Sequence, residues 1–164
     1  MEMRQHVGLG VRHADVSRRL LDVTADEMDC ELEICNHSHM GYYDMGMTDE
    51  QFLLSFEAGG IHPHDFPHEA HIRAAWLLVR EPDGYERLAA GIRAIAVRAG
   101  KPEKFHETIT RAWFELVADA ETLVPELYDR ALLSRFYSAE RLASGRERWV
   151  EPDLAPLRLD SVRV

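Results

Sequence analysis

Histidine is the residue type in this chain whose placement could do chemistry. Two segments read almost alike, Phe66-Pro67-His68-Glu69-Ala70-His71-Ile72-Arg73-Ala74-Ala75-Trp76 and Phe105-His106-Glu107-Thr108-Ile109-Thr110-Arg111-Ala112-Trp113. Neutral imidazole binds transition metals and moves protons near neutral pH. On a helix His68 and His71 lie about 60° apart, so they share a face that continues through Ile72, Ala75 and Val79. In the second segment His106 aligns with Thr110, Trp113 and Val117. If the two segments pack as neighbouring helices, His68, His71 and His106 converge between their N-terminal ends. There they would act as three metal ligands with an open position for water, or as proton carriers, with Thr110 as a supporting hydroxyl. Iron, zinc and manganese each suit such a set. The competing reading is that histidines at helix ends only hydrogen-bond neighbouring backbone.

Other chemistries fit less well. His68-Glu69-Ala70-His71 is one residue too short for the zincin pattern. A di-iron bundle needs Glu-x-x-His on two helices and further glutamates on two others, and this pattern is absent. Glu69 and Glu107 each precede an arginine by four residues, Arg73 and Arg111, which predicts surface ion pairs rather than acid-base work. His64 is a candidate pocket residue, and Trp76 and Trp113 read as core, with pocket walls as the alternative. His62 and the His37/His39 pair, with Tyr42, Tyr43 and Asp44, lie in expected loops and suit loop hydrogen bonding or the lining of an entrance. Cys30 and Cys35 read as half-buried apolar fillers, because nothing near them in sequence would stabilise a thiolate.

The elements that would position these residues are helical. Apolar positions Val16, Leu20, Leu21 and Val23 predict a helix over 15–28, and 36–46 reads as loop. Thr48 and Gln51 form a capping box that opens a helix over 49–58, ended by Gly59-Gly60. Asp65 is the expected N-cap of the next helix, with Pro67 in its first turn and an end near Arg80. A third helix carries Leu88, Ile92, Ile95 and Ala96 and closes on Gly100. Lys101-Pro102-Glu103 opens the fourth, whose stripe runs through Phe105, Ile109, Ala112, Trp113, Leu116, Val117 and Ala120. A further helix is expected after Pro125 and a short one capped by Ser138. Pro152 and Pro156 then impose an extended tail. The expected architecture is all-α, a single-domain bundle of about five to six helices, with residues 1–47 as N-terminal helix and loop and 48–164 as helical core.

Composition bounds the partners. The chain has 164 residues and a formal charge of −10, with a pI near 5.3. That charge opposes nucleic acid and anionic membrane surfaces, which need clustered Lys and Arg. No apolar run approaches the roughly 20 residues that span a bilayer, and the N-terminus has no signal-peptide pattern. A cytoplasmic protein acting on a small, partly apolar molecule is expected, with homo-oligomerisation open.

The stretches Phe66-x-His68-x-x-His71-Ile72-x-x-Ala75-Trp76, Lys104-Phe105-His106-Glu107-Thr108-Ile109-Thr110 and Trp149-Val150-Glu151-Pro152-Asp153-Leu154 resemble a family of small bacterial all-α proteins with a Tyr or Phe before His-Glu-Thr-hydrophobic-Thr. The resemblance covers about residues 60–157. It implies that these segments form one unit and implies no reaction. On residue chemistry, the expected function is a small-molecule enzyme with a histidine-lined, metal-dependent site. The alternative is a non-catalytic helical protein for interaction or small-ligand binding.

Overall fold

The computed structural model describes residues 47–162, and all of its regular structure there is helical. The expected helix over 15–28, the loop over 36–46 with His37, His39, Tyr42, Tyr43 and Asp44, and Cys30 and Cys35 lie outside the described residues. Five α-helices follow in order: α1 Asp49–Glu57, α2 His68–Leu78, α3 Gly84–Arg98, α4 Glu107–Asp119 and α5 Ala139–Ser144. Short 3-10 turns at Pro63–Asp65, Pro102–Lys104, Pro125–Tyr128, Arg130–Arg135 and Leu159–Val162 connect and follow them.

Helix α2 is the centre of the packing and meets both α3 and α4. Its Ala70, Ile72, Ala74, Ala75 and Leu78 are all buried, and the alanines let two helices approach it from different sides. Helix α4 contributes Ile109, Ala112, Trp113, Leu116 and Val117 to the same core, as its stripe predicts. Helix α1 closes a third side through Phe52 and Phe56, and Phe56 stacks on Phe66 with ring centroids 5.3 Å apart. Gly91 of α3 faces the Phe56 ring so closely that a Cβ there would overlap it, so α1 and α3 touch only because position 91 lacks a side chain.

The capping box forms as expected, Gln51 N donating to Thr48 Oγ1 at 3.2 Å and Thr48 N to Gln51 Oε1 at 3.0 Å. Helices α1 and α3 each end before a glycine in the left-handed region, Gly59 at φ 67° and Gly100 at φ 72°. Ser138 caps α5. Three expected boundaries are corrected. Helix α2 starts at His68 with Pro67 in the capping place, because Asp65 belongs to a 3-10 turn and Phe66, preceding proline, leaves helical geometry. Pro102–Lys104 is a separate turn, after which Phe105 is extended and His106 caps α4. The helix expected after Pro125 is two 3-10 turns broken at Asp129, whose carboxylate accepts from Ala131 N at 3.0 Å.

The C-terminal stretch lies along α4. Thr108, near the start of that helix, accepts from Val150 N at 3.1 Å and donates to Arg148 O at 2.7 Å. Asp119, at its end, accepts from Leu159 N at 2.9 Å. Among the described residues no helix is long and apolar enough to cross a membrane.

Candidate functional site

His106 is fixed through both ring nitrogens. Its backbone is extended, φ −133° and ψ 108°, so the side chain turns back over the helix start. Nδ1 accepts from Ile109 N at 3.3 Å, and Nε2 lies 3.1 Å from Leu142 O, within the range of an ordinary hydrogen bond. A carbonyl only accepts, so Nε2 carries the proton and Nδ1 lends its lone pair to the amide. Neighbouring amides are met as well: Glu107 N donates to Arg146 O at 2.8 Å and Thr108 N to Gly145 O at 3.2 Å. The helix start that was expected to present a ligand is therefore a closed structural joint. Burial, reinforced by the positive charge of Arg146, holds His106 down to about 4.

His68 is 2% exposed and donates from Nε2 to Leu127 O at 2.9 Å, with its ring edge-on to Trp113 at 4.5 Å between centroids. Burial lowers its pKa, and this outweighs the opposing effect of the Leu127 bond. Thus His68 ties the start of α2 to the Pro125–Tyr128 turn beyond α4, while His106 ties the start of α4 to α5. The three imidazoles do not meet as a ligand set, and among the described residues no group of three or more His, Cys, Asp or Glu is placed to hold a metal ion. The helical-wheel alignment of His106 with Thr110 fails because position 106 is outside the helix. Thr110 is buried within α4.

His71 behaves differently. Its ring packs on Phe66 at 4.4 Å between centroids and helps to line a cavity of about 20 Å³ with Phe66, Ile92, Ile95, Ala96, Lys104 and Phe105. That volume accommodates a water-sized group. Among the described residues the His71 ring makes no hydrogen bond. Burial, with the nearby His68 and Arg130, holds it down to about 3, so it is neutral at physiological pH. Lys104, half-buried on the same wall, has no carboxylate partner among the described residues. Sequence reasoning missed Lys104 and Phe105 as site residues because they were assigned to the body of a helix. The proline of Pro102–Lys104, read as closing a turn, was the available signal.

The expected pocket walls lie elsewhere. His64 is exposed, Trp76 is half-buried beneath Arg80, and Trp113 is in the core. The two predicted ion pairs are also replaced. Arg73 pairs with Asp49 at 2.6 Å, Arg111 with Glu115 at 3.5 Å, and Glu107 with Arg93 at 2.8 Å. Glu107 additionally accepts from the Tyr85 hydroxyl. Tyr85 and Arg111 line a second, open recess of about 270 Å³ with Glu81, Glu86, Phe114 and Glu115. In that recess Arg111 pairs with Glu115, and Tyr85 donates to Glu107.

No family model, no curated protein and no solved structure matches this chain.

Proposed function

We propose that this protein binds a small, partly apolar molecule at the His71 cavity, without chemistry on a three-histidine metal centre. The observation that carries this reading is the contrast in ring partners: His68 and His106 are bonded to backbone, while His71 faces apolar walls with no hydrogen bond among the described residues. Ligand sites combine apolar lining with a few polar groups that fix orientation, and Phe66, Ile92, Ile95, Ala96 and Phe105 with His71 have that composition. The cavity takes one end of a ligand, whose remainder lies across the mouth. The enzyme reading has less support, because metal ligation by His106 would require breaking the cap of α4.

The test is titration of the protein with 1-hexanol and with hexanoate, following the imidazole resonances by NMR. Binding at this site shifts the His71 signals saturably, leaves those of His106 in place, and is lost in His71→Phe. If neither probe moves His71, or if His71→Phe binds as well as the native chain, the reading is wrong.

A further inference from the structure

Residues 136–154 are closed on themselves. Ser138 N and Oγ both donate to the Asp153 carboxylate, at 2.9 and 2.6 Å, Arg141 Nε donates to Glu151 O at 2.8 Å, and Leu154 N donates to Phe136 O at 3.0 Å. The stretch is thereby a loop around α5 that is able to move as one body. Its polar ties to the rest of the molecule gather at the start of α4. His106 Nε2 donates to Leu142 O, Glu107 N to Arg146 O and Thr108 N to Gly145 O, while Thr108 Oγ1 donates to Arg148 O and accepts from Val150 N. Just before α4, Arg146 donates to Glu103 O at 2.9 Å. Leu142 and Val150 add apolar contact with the core. Within this set of ties the imidazole is the group that titrates near neutrality. Its ring is full: Nδ1 accepts from Ile109 N and Nε2 donates, so a second proton enters only at the accepting nitrogen and ends the cap. His68 differs, because its bond to Leu127 O uses a single donor that a second proton leaves in place.

We infer that residues 136–154 form an acid-released flap seated on the start of α4, with His106 as its latch. A proton on Nδ1 ends the cap on Ile109 N and places an imidazolium in the field of the Arg146 guanidinium, so cap and seat weaken in one step. The charged groups on the surrounding elements are Glu103 and Lys104 on the preceding turn, Glu107 on α4, Arg141 on α5 and the run Arg146-Glu147-Arg148 after it. Of these, Arg146 acts on the ring, and its sign opposes protonation of the seated form. The seat is a direct meeting of backbones, since a Cβ on Gly145 would lie 2.3 Å from Thr108 Oγ1. The lifted form returns His106 to water and its ordinary 6.5, whereas the seated form holds it down to about 4. Between those values the lifted form binds a proton that the seated form does not, so lifting becomes more favourable as pH falls. Between about pH 7 and pH 5 the lifting equilibrium rises about 20-fold. Lifting uncovers Leu142 and Val150 while α2, α3 and the rest of α4 stay packed.

Amide hydrogen exchange followed by NMR on the full chain, at about pH 7 and pH 5 and corrected for intrinsic rates, reads the lifting directly. The Glu107, Thr108 and Val150 amides bond across the seat. They should be less protected than amides inside α2 and α3 at both pH values, and should lose about 20-fold in protection on acidification. His106→Asn keeps a cap and does not titrate, so its seat amides should be equally protected at both pH values. His71→Phe alters a ring outside the seat and should show the native loss. Three results overturn the flap: seat amides that exchange only together with those of α2 and α3, a loss of protection below about threefold, or a loss that persists in His106→Asn. If His106→Asn does not fold, the order of exchange and the size of the loss in native and His71→Phe protein decide the same question.

Discussion

At the start of α4 the ring of His106 folds back on the helix and engages it through both nitrogens. At the start of α2 the ring of His68 projects from the first helical residue and makes one bond, to Leu127 O. Pro67 takes the capping place before His68 and supplies no side-chain cap. The free amides of α4 are met by His106, Arg146 and Gly145, so its start is enclosed by protein. Two segments written in similar residues thus become a closed joint and a looser one. A side chain's role follows from the backbone state of its residue: position 106 is extended before its helix, and position 68 is already inside its own.

The largest test of this contrast removes the ring on which His68 leans. Trp113 is 8% exposed and edge-on to His68. Trp113→Ala should cost about 3 to 5 kcal/mol in urea unfolding, through lost burial and an incompletely collapsed cavity. A loss below about 1 kcal/mol would place Trp113 outside the core that α2 and α4 share.

The next effect compares the two joints directly. His68→Ala orphans the carbonyl of Leu127, a loss of about 1 to 3 kcal/mol. His106→Ala orphans that of Leu142 and also removes the cap on Ile109 N, adding about 1 kcal/mol. His106→Asn should recover the cap alone. Equal losses for the two alanine variants, with no recovery by asparagine, would mean that the joints do not differ energetically.

Much of this was legible in the residues. The apolar stripe of α4, the Thr48–Gln51 box, the Ser138 cap and the glycine stops at Gly59 and Gly100 depend on neighbours within one turn, and such local physics survives folding. What was not legible depends on distant partners. Leu127 O and Leu142 O lie 59 and 36 residues from the rings they bind, and no periodicity reports them. The wheel that aligned His106 with Thr110 presumed a helix running through Phe105, whereas Pro102–Lys104 closes as its own turn. The i,i+4 pairs failed for a similar reason: Asp49 from α1 reaches Arg73, and Arg93 from α3 reaches Glu107. The cavity that His71 lines was not legible either, because Lys104 and Phe105 reach it from a turn and a following residue that only the packing against α3 brings there.

The smallest effect at neutral pH, and the one that sharpens the contrast most, concerns His71. His71→Phe keeps an aromatic ring against Phe66 and removes no hydrogen bond, so its stability near pH 7 should lie within about 0.5 kcal/mol of the native chain. Its pH dependence should differ. Folding lowers the His71 pKa from 6.5 to about 3, so between those values the unfolded chain binds a proton that the folded chain does not. Stability therefore rises with pH across this window and falls as pH drops from about 6.5 toward 3. His106 acts with the same sign from 6.5 down to about 4. In urea midpoints measured across this range, His71→Phe should flatten the acid slope while leaving the contribution of His106, and His106→Asn should flatten it over the narrower window at a cost in stability at every pH. An acid slope unchanged by His71→Phe would mean that the ring titrates normally in contact with water. The cavity would then lack the desolvation that distinguishes it from the protein surface, and His71 would have no claim to be part of a ligand site.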